Sequence, residues 1–366
     1  MRYAIIRISV LLTLCGMCYL VLAATGIIQP YSTNIFSSSY STLTQKVYIG
    51  GVGSEHSREL KVMDPVSLNV DKSYILSGFC DTAIPINNGS SILVLLEDID
   101  HDAYTEDGEL RQIAYSDGHT ENSYSLSTIP TAMVVDSQEN YAYITSGIDR
   151  NEVIPIISKI NLTTFQKVGN DVVYGCSIES IAITNDNAKL YVIENVLHKP
   201  DPWEEEFYWE IGVFNTSDMS ILPPIQLDSA PSALSMGYDN RLYASFPLPE
   251  GDDPAIVIID TLTDTFTGFD YPEHGLDALS LDAVHQKLYC SVYAEQWEPI
   301  VDDVLLMPSP VILEIDLANQ YTSREITLEM EYIRFLDVVP ISDPNFSARL
   351  FCRLKDGPEM FYADVD

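Results

Sequence analysis

Apolar and polar residues alternate with a period of two along most of this chain, and no apolar stripe at helical spacing lasts beyond two turns. The short β-type runs recur in a fixed order. One kind of run carries an aromatic near its end: Lys46-Val47-Tyr48-Ile49, Tyr141-Ala142-Tyr143-Ile144, Lys189-Leu190-Tyr191-Val192, Arg241-Leu242-Tyr243-Ala244, Lys287-Leu288-Tyr289-Cys290 and Arg349-Leu350-Phe351-Cys352. Ser91-Ile92-Leu93-Val94 fills the gap between the first two. These markers lie roughly fifty residues apart, the spacing of a repeat that holds four strands. An apolar strand and a polar turn precede the marker, as in Ala132-Met133-Val134-Val135 before 136–140. A strand ending in Asp or Asn follows it, as in Val62-Met63-Asp64, Lys159-Ile160-Asn161 and Ile258-Ile259-Asp260. Thr-rich turn chemistry comes next, and a last apolar run completes the unit. The four strands are labelled A to D from the centre outward.

Seven such units predict an all-β fold: a seven-bladed β-propeller with four-stranded antiparallel blades, in a single domain over 25–366. The seventh unit supplies strands A (335–341), B (349–354) and C (360–366), then the chain stops. Two short apolar runs, Gly26-Ile27-Ile28 and Asn34-Ile35-Phe36, precede the first B strand. One is expected to close blade seven and the other to form strand A of blade one. A ring closed in this way by the N-terminal segment leaves no open sheet edge.

The succession of apolar strand, Asp/Asn turn, Leu-Tyr strand and Ile-Asp-Thr-x-Thr resembles the YVTN-type and lactonase-like seven-bladed propellers. Ile258-Ile259-Asp260-Thr261-Leu262-Thr263 carries the likeness best, and blades one, two and seven carry it least. The resemblance implies a propeller and an extracytoplasmic location, and no single reaction, because the fold hosts many.

Charge narrows the partners. The chain holds 54 Asp+Glu against 19 Lys+Arg, a formal charge of −35, with 46% apolar residues. That apolar content is enough for a core and excludes intrinsic disorder. The negative excess disfavours nucleic acid and anionic membrane surfaces as partners. Residues 1–24 read as a signal peptide: Arg2 and Arg7 begin it, an apolar run follows, and Val21-Leu22-Ala23 fits a cleavage motif. The alternative is an uncleaved anchor. The expected location is secreted, extracellular or periplasmic, or membrane-anchored in the alternative.

Antiparallel order assigns every loop to a face. A–B and C–D turns share one, B–C loops and D–A crossings the other. The long B–C segments hold all three tryptophans. The segment 196–210 contains Trp203, Tyr208 and Trp209, 294–310 contains Trp297, and 247–254 contains Asp252 and Asp253. They form a candidate acidic, aromatic-rimmed recess for a protein, glycan or small cationic ligand. The competing reading is that the aromatics pack down onto the blades.

The D–A crossings approach the central channel. Thr131, Ser180, Ser232, Asp277 and Arg334 align there, with Glu179 one position earlier. Glu179, Asp277 and Arg334 are the candidate catalytic set of a lactonase-like hydrolase or lyase, against the reading of a structural ion cluster.

The rest of the chemistry is sparse. Asp98, Asp100, Asp102 and Glu106 alternate as hard-cation ligands would, which makes calcium the candidate ion, although Ala103 stands where a calcium loop carries Gly. The competing reading is an acidic, solvated turn in a very acidic protein. Cys290 and Cys352 occupy equivalent strand positions in adjacent blades, and Cys80 and Cys176 are read as another equivalent pair. Equivalent sites stand too far apart to bridge, so four buried thiols are expected in the mature chain. Glycosylation sequons occur at Asn88, Asn161, Asn215 and Asn345, all in expected A–B or C–D turns. No Gly-x-Ser-x-Gly, His-Glu-x-x-His, P-loop or dinucleotide fingerprint is present. The readings left are a binding propeller, a channel-mouth enzyme and a structural surface-layer component.

Overall fold

The computed structural model describes residues 24–27, 35–52, 57–99, 106–148, 155–174, 177–201, 204–227, 229–246, 254–269, 275–293, 311–319, 321–327, 333–341, 347–354 and 360–365. In several of these stretches, among them 24–27, 35–38, 177–179, 195–201, 204–208, 277 and 333–337, only the backbone is described.

Each sequence unit forms one antiparallel sheet whose consecutive strands are neighbours. Blade one comprises Ile35–Ser41, Lys46–Val52, Arg58–Met63 and Val70–Leu76. Blade two comprises Phe79–Ile86, Ser91–Ile99, Glu106–Ala114 and Thr120–Leu126. Blade four runs through Ser177–Ile183, Lys189–Asp201, Glu204–Asn215 and Ile221–Leu227. Blade five follows with Ala233–Met236, Arg241–Ser245, Ile256–Asp260 and Thr265–Phe269. Blade six has Gly275–Asp282, Lys287–Tyr293, Val311–Asp316 and Thr322–Thr327.

Blade three departs from the regular plan. Ile129–Val135, Tyr141–Ile148 and Ile156–Asn161 are followed by a broken D strand, Gln166–Lys167 and Val172–Val173. The break falls at Gly169, whose φ of +75° leaves the extended region. There Asp171 accepts the Ser158 hydroxyl at 2.6 Å.

Blade seven takes Ile333–Pro340, Ala348–Leu354 and Met360–Val365 from the C-terminus and its D strand, Ala24–Ile27, from the other end of the chain. Ala24 pairs with Asp364 and Ile27 with Phe361. The first apolar run therefore closes the ring and the second, Ile35–Ser41, begins blade one.

Packing explains the closure. Seven apolar clusters occur among the described residues, one at each blade–blade boundary. Val47, Ile49 and Met63 of blade one join Val339, Ile341 and Phe351 of blade seven in the cluster that seals the circle. The B-strand markers supply the bulk of this packing. Tyr191, Tyr243 and Tyr289 are fully buried, and Tyr48, Tyr143 and Phe351 nearly so. Large aromatics at these boundaries contribute several kcal/mol each, about 3–5 by the cost of truncation to alanine. The buried hydroxyls are mostly paired: Tyr191 donates to Asp264 of the next blade at 2.6 Å, and Tyr289 to Glu314 at 3.0 Å.

The Asx at the end of strand C closes the next turn. Asn161 Oδ1 accepts from the Thr163 and Thr164 amides, and Asp260 Oδ1 from those of Leu262 and Thr263. Asp64 and Asp316 do the same in blades one and six. The basic residue at the start of strand B reaches an acid on that face, as Lys46 does Asp64 at 2.8 Å and Lys189 does Asp264 at 2.6 Å. Among the described residues no helix is long and apolar enough to cross a membrane. Residues 1–23, most of the segment read as a signal or anchor, lie outside the described residues.

Candidate functional site

Two features distinguish the face that carries the B–C connections. The first is the B–C segment of blade four, expected from sequence to be a long loop. It is instead a paired hairpin. Its two strands keep register from Lys189↔Asn215 through Glu194↔Glu210, Asn195↔Trp209 and Leu197↔Phe207 to His198↔Glu206, and rejoin at Asp201↔Glu204. Strand A accompanies it only as far as Ser177↔Asn195, and strand D only to Trp209↔Leu227. Everything beyond those rungs is a two-stranded ribbon standing above the blade. Pro200 and Pro202 suggested a loop. Pro200 falls inside the register shift between His198 and Asp201, so no ladder bond is lost there, while Phe207, Tyr208 and Trp209 are strong strand formers.

Tyr208 lies on the ribbon, and Trp209 sits at its root, half-buried against the cluster between blades four and five. Of the three tryptophans, Trp209 thus packs downward. Trp203, Trp297, Asp252 and Asp253 lie outside the described residues.

The second feature is a repeated irregularity in strand A. In six blades the A–B ladder skips a residue near the channel entrance. The skipped positions are Phe36, Asp81, Thr131, Glu179 and Arg334, and in blade six the pair Asp277-Ala278. Counted back from the strand-A partner of each B-strand marker, Ser232 holds the same position in blade five. A bulge re-aims a side chain and is common at rims and sites. The register corrects the sequence alignment in two ways. Glu179, not Ser180, is the equivalent of Thr131, and strand A already begins before these positions, two residues earlier in blades three, four and six and one residue earlier in blade seven. Glu179, Asp277 and Arg334 are thereby brought to one level of the inner ring; of their side chains only the strand position is described.

Asp81 joins them at that level, and sequence reading missed it. Blade two matches the repeat poorly, and an inserted residue leaves no mark in a period-two pattern. Its Oδ2 is buried without a hydrogen-bond partner. Burial, then the negative charge of Glu97, pushes its carboxyl up to about 7. The neutral neighbours are latched instead. Thr131 pairs its hydroxyl with that of Thr145 at 2.9 Å, Ser232 with that of Ser245 at 2.9 Å, and the Ser291 hydroxyl accepts the Ala278 amide at 3.0 Å.

The acidic hairpin of blade two pairs through Asp98↔Asp107 and Ile99↔Glu106. Asp98 and Glu106 therefore flank one tip, while Asp100 and Asp102 lie outside the described residues. Among the described residues no group of three or more metal-ligating side chains occurs. Cys80 and Cys290 are buried thiols. The register also corrects one cysteine pairing. Cys80 immediately precedes its bulge residue, whereas Cys176 precedes strand A of blade four altogether and lies outside the described residues. Asn88, Asn161 and Asn215 sit in A–B or C–D turns, and Asn345 lies outside the described residues.

No family model matches this chain, and no curated protein matches it. Solved structures do. The β-propeller domain of Cps50 (Swd1) from Myceliophteria thermophila superposes with a TM-score of 0.64 at 10% identity, over 93% of this chain and 100% of that one. Hydrazine synthase from Kuenenia stuttgartiensis superposes with a TM-score of 0.65 at 9% identity, over 91% of this chain and 96% of that one. Likeness at this level extends to the fold alone, and the fold is a seven-bladed β-propeller.

Proposed function

We propose that this protein is an exported propeller of the YVTN-type, lactonase-like kind that binds a protein, glycan or small cationic ligand through its B–C face. The observation that carries this reading is the blade-four ribbon. Its ladder extends past both flanking strands and holds an acidic, aromatic sequence (Glu204-Glu205-Glu206-Phe207-Tyr208) clear of the sheet. A projecting paired ribbon presents aromatic area at less ordering cost than a loose loop of equal length, which favours recognition. The acidic groups suit a cationic or polyhydroxylated partner. Trp203 and Trp297 are the proposed anchors, with Tyr208, Asp252 and Asp253 beside them, and Asp98, Asp100, Asp102 and Glu106 are the proposed calcium ligands.

The test is titration of the purified protein with cationic-peptide and glycan panels. Trp203→Ala and Trp297→Ala are expected to weaken the best binder at least tenfold. Binding unchanged in both variants contradicts the assignment.

A second reading, a hydrolase or lyase at the channel mouth, is favoured by the repeated bulge that brings Asp81, Glu179, Asp277 and Arg334 to one level. Lactone turnover lost in Asp277→Asn and Asp81→Asn supports it. Absence of turnover in the wild type across a lactone panel contradicts it.

A further inference from the structure

The root of the blade-four ribbon contains two carboxyl groups that the proposed binding face does not use. Glu194 on strand B and Glu210 on strand C are direct cross-strand partners, so their side chains lie on one face of the sheet. That face packs against blade three, in the cluster that includes Leu190, Val192, Phe214 and Tyr174. Glu194 is completely buried and Glu210 is 5% exposed.

The backbone is shaped to admit them. A Cβ at Gly212 would meet Glu194 Oε1 and lie 3.0 Å from the Tyr174 ring and 3.1 Å from the Phe214 ring, so the glycine gives the carboxyl its present place between the strands. Tyr174 donates its hydroxyl to Glu210 Oε1 at 2.7 Å and stands edge-on to Phe214. Neither oxygen of Glu194 has a donor within reach. Among the described residues the polar groups around the pair are few: Glu210 from strand C, Tyr174 from blade three, and Gln226 opposite Glu210 on strand D, while the strand-A partner of Glu194 is the apolar residue Ile178. Among the described residues no lysine, arginine or histidine pairs with either carboxyl.

Two adjacent buried carboxylates without a cation cannot both ionise cheaply, and a proton between them supplies the donor that Glu194 lacks. We infer that Glu194 and Glu210 share one proton that ties strand B to strand C at the ribbon root, where Tyr174 of blade three holds Glu210, and that opening of the ribbon releases this proton, making the proposed binding element pH-sensitive. The inference rests on the ribbon being that element only for its consequence, not for its chemistry.

The sign follows from the pair. Burial first, and then Glu210, raises the Glu194 carboxyl to about 9. In an opened ribbon it returns to the ordinary glutamate range near 4. The closed state thus holds a proton that the open state gives up between those limits. Closure is firmest below about pH 4 and is lost progressively as pH rises towards 9, by about tenfold per pH unit.

Hydrogen exchange followed by mass spectrometry between pH 5.5 and 8.5, corrected for intrinsic chemical exchange, reads this without any ligand. Peptides within 189–215 are expected to open about tenfold more readily per pH unit in the wild type. Peptides of blades one and seven are expected to show no such slope. Glu194→Gln keeps the shape, donates its own N–H to Glu210 and is expected to flatten the slope. Glu210→Gln offers Glu194 a donor and is expected to end the rise at lower pH. A wild-type slope near zero, an unchanged slope in Glu194→Gln, or an unmoved limit in Glu210→Gln overturns the inference. None of these readouts depends on whether the B–C face binds anything, so failure of the shared proton and failure of the binding reading are separable.

Discussion

Single residues carry two kinds of role here, and burial separates them. Tyr191 and Lys189 both end on Asp264 of the next blade, so one carboxylate neutralises a cation and receives a buried hydroxyl. Such groups stabilise a boundary. Asp81 is different, because its buried oxygen has nothing to bond. An unpaired buried polar atom costs about 1–3 kcal/mol and persists where function requires it. Since the folded state raises this carboxyl to about 7, its stability contribution is fully present below the ordinary aspartate range and is lost as pH rises through 7. Asp81→Asn is therefore expected to leave stability at pH 4 unchanged. At pH 8 it should raise stability by about 1–2 kcal/mol, discounted for partial exposure. Urea midpoints at the two pH values check it, and equal effects at both would mean that the group does not titrate in this range.

Elements show which parts of the fold the sequence declares and which it conceals. Periodicity, Asx-Thr turns and buried tyrosines are local chemistry, so strands B and C of blades three to six and the turns after them were legible from the residues. Even the divided blade seven was legible, because a unit that stops after strand C implies a missing partner. The strand-A bulge was not, since one extra residue alters pairing without altering composition. That is why Ser180 was aligned where Glu179 belongs and why Asp81 went unnoticed. The ribbon of blade four was hidden by its prolines, which signal turns unless the ladder shifts around them. The Glu194–Glu210 pair was hidden for another reason. Two acids sixteen positions apart become neighbours only once the hairpin register is known. Because the ribbon tip lies beyond both flanking strands, replacing 197–206 by a two-residue Asn-Gly turn is expected to lower the melting temperature by only a few degrees. A collapse of the fold would show that the ribbon is structural.

At the scale of the whole molecule, the ring depends on four residues from the far end of the chain. Ala24–Ile27 contributes only one edge strand, yet it ties the two termini together. Deleting 24–27 exposes the strand C edge of blade seven and is expected to lower stability by about 2–4 kcal/mol and promote association. A circular permutant that joins 365 to 24 through a short linker and opens at the A–B turn of blade two should retain the wild-type melting temperature. Light scattering and calorimetry distinguish the two. Equal stability of the deletion variant would mean that closure rests on the boundary cluster of blades seven and one alone.

The most direct measurement compares the wild type with the ribbon-shortened chain on one cationic-peptide and glycan panel at constant pH and salt. The account predicts that the wild type has at least one specific binder and that the shortened chain, still folded, loses at least tenfold in affinity for it. Equal binding by the two chains would contradict the claim that the B–C face of blade four is where this protein meets its partner.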